Sequence, residues 1–219
     1  MSKIKGILFD LDNTLIDFMK MKRMACSEAA SAMIGAGLKM EFETLEKELF
    51  GFYLNYGIEG DYPFTDFLKK HNAYTDAILA SAINAYHRVK SAFLEPYPGV
   101  IPMFVKLIKQ GIKLGIVTDA PSLKAHQRID AMKLHGFFDV VVTEAKKPDS
   151  QGFLKAVEKF GLKPQEVMMV GDWPEKDMVG AKKAGLIACF AKYGHSVGVE
   201  TATEPDHTIH KIEELLEIL

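Results

Sequence analysis

The chain has 219 residues, a formal net charge of −2 and a hydrophobic fraction of 48%, the balance of an ordinary globular protein with a sizeable core. Acidic and basic residues are interspersed, so we expect neither nucleic acid nor an anionic membrane as a partner. The first residues of the chain do not show the pattern of a signal peptide, and no apolar run approaches the about 20 residues that are needed to span a bilayer. A cytoplasmic protein is therefore predicted. Its two cysteines, Cys26 and Cys189, indicate neither a disulfide framework nor a thiolate metal site.

Short apolar runs without helical spacing predict buried strands. The first, IKGILFD, ends at Asp10. Three similar runs end at Thr118, Thr143 and Asp172, and LIACF at residues 186–190 is a weaker fifth. The helical patterns between the later strands each stop at a glycine, namely Gly111, Gly136, Gly161 and Gly185. This alternation predicts an α/β protein with a parallel sheet and helices on its faces.

The end of the chain predicts two more elements. DHTIH is typical of a short strand, and KIEELLEIL predicts a last helix docked on the sheet. The apolar stripe of that helix consists of Ile212, Leu215, Leu216 and Leu219. The spacing of His207 and His210 suits a metal site on a helix, but on a short strand surface histidines are the preferred interpretation.

A helical insert follows the first strand. No strand pattern occurs between Phe18 and Phe93. Apolar residues there repeat at helical spacing, as at Leu45, Leu49, Phe52, Tyr53 and Tyr56. Turn-rich breaks at 59–63 and 71–76 divide the insert, and Thr75 is predicted to cap the helix after the second break.

This pattern divides the chain into two predicted domains. Residues 1–16 and 94–219 are expected to form the α/β core, and residues 17–93 the helical domain. A helical domain inserted after the first strand makes a lid over the edge of the sheet. Such a lid can shelter a reaction from water.

Side chains capable of chemistry follow four of the predicted strands, at the point where each strand ends. They are Asp10 and Asp12, Thr118 and Asp119, Lys147, and Asp172 and Asp177. Ligands of an open parallel sheet bind at this edge, because loops and helix N-termini converge there. Singly, each residue is explained as a helix cap or a solvated side chain. Four strand ends in succession indicate a functional site.

Asp10 and Asp12 stand two residues apart after the first strand. Successive side chains of a strand point in opposite directions, so these two point to the same side and can share one site. Their mutual repulsion calls for a cation, and Mg²⁺ prefers oxygen ligands. We therefore expect Asp10 and Asp12 to hold Mg²⁺ together with Asp172. A turn or helix cap is the alternative interpretation of the pair.

Four stretches together resemble a known family. In chain order, FDLDNTL, IVTD, KKPDSQGF and GDWPEKDMVGAKKAG are similar to the four motifs of the haloacid dehalogenase-like (HAD) hydrolase superfamily. The helical insert resembles that family's C1-type cap domain. The resemblance covers nearly the whole chain and implies a doubly wound, Rossmann-like parallel sheet. It also implies a Mg²⁺-dependent phosphatase that acts on small phosphorylated substrates, which its cap domain selects.

The resemblance also assigns roles to individual residues. Asp10 is the nucleophile that attacks phosphorus and forms an aspartyl phosphate, and Asp12 is the general acid/base. Thr118 and Lys147 stabilise the phosphoryl group. Lys147 matches the motif better than Lys146, which is the alternative.

The remaining roles concern backbone groups and the metal. Backbone N–H groups near Leu11 and Asp119 are expected to bind phosphoryl oxygens. Asp172 is implied as a metal ligand. Asp177 matches the second acid of the fourth motif and is expected to support the metal through its water shell.

Two positions depart from the usual family pattern. Trp173 follows Asp172 where a small polar residue is common, and we expect its ring to pack on the sheet. Asp119 stands where asparagine is frequent. Asp119 adds negative charge near the phosphate unless it turns away to cap the helix that begins at Pro121, and its role is left open by the sequence.

Other functions remain as alternatives. A 2-haloacid dehalogenase would also use an aspartate nucleophile, but its leaving halide needs no proton, so Asp12 argues against it. A phosphonate-cleaving relative would use a cap lysine; Lys20, Lys22 and Arg23 stand at the start of the cap, where a solvated face explains them equally well. A receiver domain or another non-catalytic phosphoryl-accepting or binding protein would not sustain turnover.

The substrate and the oligomeric state are left open by the sequence. Small phosphorylated sugars, phosphoglycolate, glyceraldehyde phosphate and nucleoside monophosphates are all candidates. The apolar, aromatic-rich helical domain favours a small or partly apolar leaving group over a large polyanion.

Overall fold

The chain forms two compact units in the computed structural model. The residues that the structure describes are 4–56, 63–195 and 203–219. The first unit combines Met1–Asp17 with Glu95–Leu219, and the second unit is Phe18–Leu94. The predicted turn-rich break at 59–63 lies outside the described residues, except for Pro63.

Eight α-helices occur within the described ranges. They are α1 (Phe18–Gly35), α2 (Phe42–Tyr56), α3 (Phe64–Lys70), α4 (Asp76–Ala92), α5 (Val100–Lys109), α6 (Ser122–Ala131), α7 (Gln151–Phe160) and α8 (Val179–Lys183). The first four helices belong to the second unit, and the last four belong to the first unit.

The first unit is built on a parallel sheet. Its described strands are β1 (Gly6–Phe9), β2 (Lys113–Val117), β3 (Val140–Val142), β4 (Val167–Gly171), β5 (Ile187–Ala191) and β6 (His207–Ile209). Their spatial order is β3-β2-β1-β4-β5-β6, and every neighbouring pair is parallel. The chain winds outward from β1 on one side and from β4 on the other, so its direction reverses between these two strands. The predicted α/β class with a doubly wound parallel sheet is confirmed.

Both faces of this sheet are covered by helices. Leu8 of β1 belongs to a buried cluster that includes Phe153 and Phe160 of α7. The next residue, Phe9, points to the opposite face, where its ring centroid lies 5.2 Å from that of Phe104 in α5. Burial on both faces is why β1 reads as a continuous apolar run rather than an alternating one.

Two helices of the first unit are shorter than their sequence patterns. The pattern before Gly136 gives α6 only as far as Ala131, because Lys133 adopts a left-handed conformation with φ 58° that an α-helix does not accommodate. The pattern before Gly185 begins as a π-helical turn at Pro174–Met178 and becomes α-helical only in α8. This π-helical turn carries Asp177, one of the predicted site residues.

The last predicted helix is a 3₁₀-helix, Ile212–Glu217, that follows the predicted short strand β6. Ile212 and Leu215 are buried as expected, but Leu219 is 38% exposed. Residues three apart share a face in both helix types, so the apolar spacing did not distinguish them. Because Leu219 is exposed, the buried apolar stripe of this helix is narrower than predicted.

The second unit is a helical assembly with its own core. Helix α1 supplies small buried residues, Ala25, Cys26, Ala29 and Ala30, and packs closely along α4.

Thr75 caps α4 as predicted, since its hydroxyl accepts a hydrogen bond from the Ile78 N–H at 3.2 Å. A buried polar centre accompanies this core: the Lys22 ammonium donates to the hydroxyls of Tyr53 at 2.6 Å and Tyr86 at 3.0 Å.

Among the described helices, none has both the length and the apolar character needed to cross a membrane.

Gly115 in β2 occupies a position without room for a side chain. A Cβ atom there would lie 2.5 Å from Val140 Cγ1 and 2.9 Å from Leu8 Cδ2. We expect Gly115→Ala to lower the free energy of unfolding by about 1–3 kcal/mol through overpacking, as measured by urea denaturation. Gly136→Ala is the matched control, because nothing lies within 4 Å of its Cβ position, and its effect should stay within about 0.5 kcal/mol. Equal stabilities of the two variants would contradict this account of the sheet.

Candidate active site

Four predicted site residues meet where the winding of the sheet reverses. Asp10 directly follows β1 and Asp172 directly follows β4, which are neighbouring strands joined next to the site by the Asp10 N–H and the Val170 carbonyl at 2.9 Å. Lys147 reaches the same place from the loop after β3, and Asp177 from the π-helical turn after β4. All four side chains are buried.

Three of these side chains form a carboxylate cluster. Asp10, Asp172 and Asp177 each place a carboxylate oxygen within 4.8 Å of the others. Lys147 Nζ lies 2.6 Å from Asp10 Oδ1 and 2.6 Å from Asp177 Oδ1. The alternative, Lys146, is exposed, so the buried ammonium is that of Lys147.

Burial governs the acid–base properties of this cluster. Burial, followed by repulsion from Asp10 and Asp177, raises the pKa of Asp172 well above the usual range of an aspartate. Burial also raises the pKa of Asp177, while its contact with Lys147 acts in the opposite direction. For Lys147, burial alone would lower the pKa, but Asp10 and Asp177 outweigh it and the pKa is raised. The cluster therefore contains three acids but one ammonium group. Full ionisation of the three acids requires further positive charge.

Local structure brings the two acids of the fourth motif into place. Gly171 ends β4, and a Cβ atom at Gly171 would collide with the Asp177 carboxyl group, so only glycine lets Asp177 approach the strand so closely. The Asp177 carboxylate also accepts a hydrogen bond from the Trp173 N–H at 3.0 Å. The Thr14 hydroxyl donates to Asp172 Oδ1 at 3.2 Å. The cluster is thus held by groups of the same loops that supply its acids.

The Asp12 side chain is not among the three acids of the cluster, and its expected contact with the metal stays a prediction. Its carboxylate oxygen Oδ2 lies 2.6 Å from Nη1 of Arg128 in α6. The physical reason is that a buried guanidinium offers Asp12 an opposite charge, whereas the cluster already contains three acids. Asp177, expected to act through a water shell, takes the third place in the cluster.

Asp119 does not cap the helix after Pro121, because α6 has no side-chain cap. Asp119 instead accepts a hydrogen bond from the Lys147 N–H at 2.8 Å and pairs with Lys176 Nζ at 3.0 Å. Lys176 Nζ also lies 4.4 Å from the ring centroid of Trp173, a half-buried residue. The two unusual positions of the motifs, Asp119 and Trp173, are therefore joined through Lys176.

The two remaining predicted residues lie at the ends of β1 and β2. The Thr118 side chain is buried, and its hydroxyl accepts a hydrogen bond from the Ala120 N–H at 3.2 Å. Leu11 is fully buried between the two aspartates, and its carbonyl accepts a hydrogen bond from the Leu15 N–H at 3.0 Å. Both residues stand at the carboxyl edge of the sheet, as expected.

Thr14, Arg128 and Lys176 are among the residues that contact the site and were not predicted from the sequence. One of them left a readable signal. Arg128 lies on the apolar face of its helix, three residues after the buried Ala125 and one before the buried Ile129. A charged residue on a core-facing stripe is rarely buried unless it is paired. Lys176 stood among other charged residues and gave no such signal.

The donor set of the cluster fits a divalent cation. Carboxylate oxygens are the hard ligands that Mg²⁺ prefers, and the cluster offers three of them against one ammonium. Asp10, Asp172 and Asp177 are the residues that would hold the ion. Thiolate and imidazole groups, which softer metals favour, are not part of the cluster.

A profile of the haloacid dehalogenase-like hydrolase family matches residues 7–191, and the chain belongs to this family. It is 35% identical to glyceraldehyde 3-phosphate phosphatase of Methanocaldococcus jannaschii over 221 residues, which cover 99% of this chain and 97% of that protein. It is 31% identical to pyrophosphatase PpaX of Bacillus cereus over 229 residues, again covering 99% and 97%. The crystal structure of a HAD phosphatase from Thermococcus onnurineus shares the fold, with 24% identity, a TM-score of 0.67 and coverage of 98% and 97%. The predicted family and the predicted class, an enzyme of the phosphatase type, are confirmed.

Divalent cation binding can be followed directly, because Trp173 is the only tryptophan and its backbone N–H donates to the Asp177 carboxylate at 3.0 Å. We expect Mg²⁺ to change the fluorescence of Trp173 in a saturable way, with isothermal titration giving the affinity. Asp172→Asn should weaken binding by at least about 10-fold, since loss of even a supporting residue costs about 10–100-fold at a metal site. Asp130→Asn, at a side chain that is 81% exposed, should leave the affinity unchanged. Equal affinities of both variants would contradict the assignment of the cluster.

Proposed function

We propose that this protein is a Mg²⁺-dependent phosphatase that hydrolyses small phosphate monoesters through an aspartyl-phosphate intermediate on Asp10. The observation that carries the proposal is the contact of the Asp10 carboxylate with Lys147 Nζ at 2.6 Å inside a buried acidic cluster. This cluster stands where ligands of a doubly wound sheet bind. A nucleophilic carboxylate, an ammonium group and a candidate cation site thus occupy one place.

In the first step an Asp10 oxygen attacks phosphorus and the bond from phosphorus to the ester oxygen breaks. The Lys147 ammonium balances negative charge on the phosphoryl group, and the Thr118 hydroxyl donates a hydrogen bond to it, as do the N–H groups near Leu11 and Asp119. Thr118 is suited to this role because its hydroxyl accepts from the backbone of Ala120, which leaves its own hydrogen available. The product of this step is an acyl phosphate on Asp10.

Asp12 acts as the general acid and base of both steps. Asp12 enters the first step protonated, while its Oδ2 accepts a hydrogen bond from Arg128, and it gives this proton to the departing alkoxide. In the second step its carboxylate takes a proton from the water that attacks phosphorus, which restores the acid for the next cycle. This attack releases inorganic phosphate and restores the Asp10 carboxylate. Asp12 pairs with Arg128, whereas Lys147 pairs with Asp10 and Asp177. Asp12 is thus outside the charge balance of the cluster, which supports this role.

Asp10, Asp172 and Asp177 would hold the magnesium ion. When bound, Mg²⁺ neutralises charge on the phosphoryl oxygens and on the carboxylates around it. Thr14 keeps the Asp172 carboxylate oriented through the hydrogen bond of its hydroxyl. Because Gly171 has no side chain, the Asp177 carboxylate can approach the end of β4.

For the substrate we propose glyceraldehyde 3-phosphate or a similarly small phosphate ester, selected by the helical unit Phe18–Leu94. The support is the name of the Methanocaldococcus relative, which is 35% identical along the whole chain. The apolar and aromatic composition of the helical unit also agrees with a small leaving group. The relative named as a pyrophosphatase is less similar, at 31% identity, and no described contact of the site favours its substrate.

The alternatives from the sequence are less well supported. A dehalogenase has no use for an acid that protonates a leaving group, and Asp12 stands beside the cluster with its own cationic partner. A protein that only binds its ligand would not need a nucleophile, an ammonium and a hydroxyl at adjoining strand ends. A protein that only accepts a phosphoryl group would use the same three groups, and sustained turnover distinguishes a phosphatase from it. The phosphonate-cleaving alternative required a reactive lysine in the helical unit, where Lys22 is instead buried against Tyr53 and Tyr86.

Replacing the nucleophile tests the proposed reaction. Asp10→Asn keeps the shape of the side chain but removes its nucleophilic oxygen, so Mg²⁺-dependent phosphate release from p-nitrophenyl phosphate should fall on the order of 10⁴-fold or more. Acid-quenched wild-type protein should retain label from a ³²P-phosphate ester as a hydroxylamine-sensitive acyl phosphate, and Asp10→Asn should retain none.

Asp130→Asn is the control for this experiment, because it also replaces one aspartate by asparagine but at an exposed position. It should match the wild type in both turnover and label. Full activity of Asp10→Asn, or wild-type protein without Mg²⁺-dependent turnover of any ester, would refute the proposed function.

A substrate panel tests the choice of leaving group. With Mg²⁺ present, kcat/KM for glyceraldehyde 3-phosphate should exceed that for pyrophosphate and for nucleoside monophosphates by at least about tenfold, which corresponds to about 1.4 kcal/mol. The physical reason is that glyceraldehyde is a small leaving group without further charge, which suits an apolar, aromatic unit better than a polyanion does. A preference for pyrophosphate or nucleotides would overturn the substrate proposal and leave the proposed reaction intact.

A further inference from the structure

Arg128 is a buried cation on a helix whose other inward residues are apolar. It is 3% exposed, and Ala125 and Ile129 beside it are fully buried. Removing a guanidinium from water is costly unless an opposite charge and hydrogen bonds compensate. An apolar side chain at this position would satisfy the pattern of α6, so the arginine calls for a reason beyond packing.

The contact of Arg128 with Asp12 supplies that reason. Arg128 Nη1 lies 2.6 Å from Asp12 Oδ2, a distance typical of a charge-assisted hydrogen bond. The guanidinium side of this pair is 4% exposed and the carboxylate side 21% exposed. The guanidinium is therefore enclosed by protein, and the Asp12 side chain that it holds is only partly exposed, with its second carboxylate oxygen, Oδ1, buried.

We propose that Arg128 is a positioning residue for Asp12 and that it keeps this carboxylate out of the acidic cluster, aimed at the leaving group and the attacking water. This inference rests on the proposed function. Arg128 does not touch the reacting atoms; it acts through Asp12.

The arrangement of charges explains why an anchor is needed. Asp12 lies two residues from Asp10, on a loop whose neighbouring acids already share Lys147. Without an opposite charge of its own, the Asp12 carboxylate would compete for Lys147 or for the cation held by the cluster. A planar guanidinium fixes the direction of a carboxylate better than a flexible ammonium does.

Positioning should matter most for the step in which Asp12 donates its proton. That proton goes to the alkoxide as the phosphorus–oxygen bond breaks, so an alkyl ester depends on it strongly. A nitrophenolate leaves without a proton, so p-nitrophenyl phosphate depends on it little. The value of kcat/KM reports this step, because it covers the path to the first irreversible event.

The test compares Arg128→Met with the wild type on glycerol phosphate and on p-nitrophenyl phosphate. For glycerol phosphate, kcat/KM should fall by about 10- to 100-fold, within the about 10²–10⁴-fold that general acid catalysis contributes. For p-nitrophenyl phosphate it should fall less than about threefold. A purely structural role would lower both values equally.

A double-mutant cycle with Asp12→Asn makes the test specific. If Arg128 acts through Asp12, adding Arg128→Met to Asp12→Asn should cost less than about threefold on glycerol phosphate, because the acid is already absent. Arg128→Lys, which keeps a positive charge without the planar fork, should recover part of the loss. Arg88→Met removes an exposed arginine that pairs with Glu28 and should leave both substrates unaffected.

The outcomes separate this inference from the proposed function. Wild-type protein that hydrolyses neither ester would refute the proposed function itself. An active wild type in which Arg128→Met, folded by thermal denaturation, loses both substrates equally or is additive with Asp12→Asn would overturn the role of Arg128 alone. If Arg128→Met does not fold, the same two-substrate comparison on Arg128→Lys decides, because equal losses on the two esters there would also overturn the role of Arg128.

Discussion

The acidic cluster can exist only because positive charge is placed inside it. Asp10, Asp172 and Asp177 are removed from water and stand close enough to repel one another. Each buried carboxylate loses its hydration, and the loss must be offset by an opposite charge or hydrogen bonds. Lys147 supplies one ammonium at 2.6 Å from two of the acids. The negative charge that remains is what suits the cluster to a divalent cation, so the metal site and the lysine are two parts of one electrostatic requirement.

The sheet explains why these groups meet. Strands β1 and β4 are neighbours in register, with Phe9 opposite Val170, so the residues that follow them emerge side by side. Lys147 comes from the end of β3, two strands away from β1, and a long side chain is needed to cover that distance. Asp177 is not at a strand end at all, and it returns to the cluster through a π-helical turn against Gly171. The strand order and one glycine thus position groups that are up to 167 residues apart.

Sequence reasoning located the charged groups but not their partners. Short apolar runs ending in Asp10, Thr118 and Asp172 were sufficient to predict strands and the edge at which they end, because burial on both faces leaves a clear pattern. Ion pairs leave no such pattern. Asp119 and Lys176 are 57 residues apart, so local rules suggested a helix cap for the aspartate instead of its distant lysine. The final 3₁₀-helix escaped for a different reason, since residues three apart lie on one face of either helix type.

The distribution of cations resolves an apparent conflict in the proposed function. A site that gathers five aspartates at one edge of the sheet should repel a phosphate ester, which is itself an anion. In the structure, however, three cations divide most of the acids among them: Lys147 contacts Asp10 and Asp177, Arg128 contacts Asp12, and Lys176 contacts Asp119. Asp12 and Asp119 are thereby neutralised outside the cluster, and the excess negative charge is confined to the cluster, where a divalent cation would offset it. A phosphate ester can then approach Asp10 without facing the summed charge of all five acids, which is the condition for a carboxylate to act as nucleophile toward it.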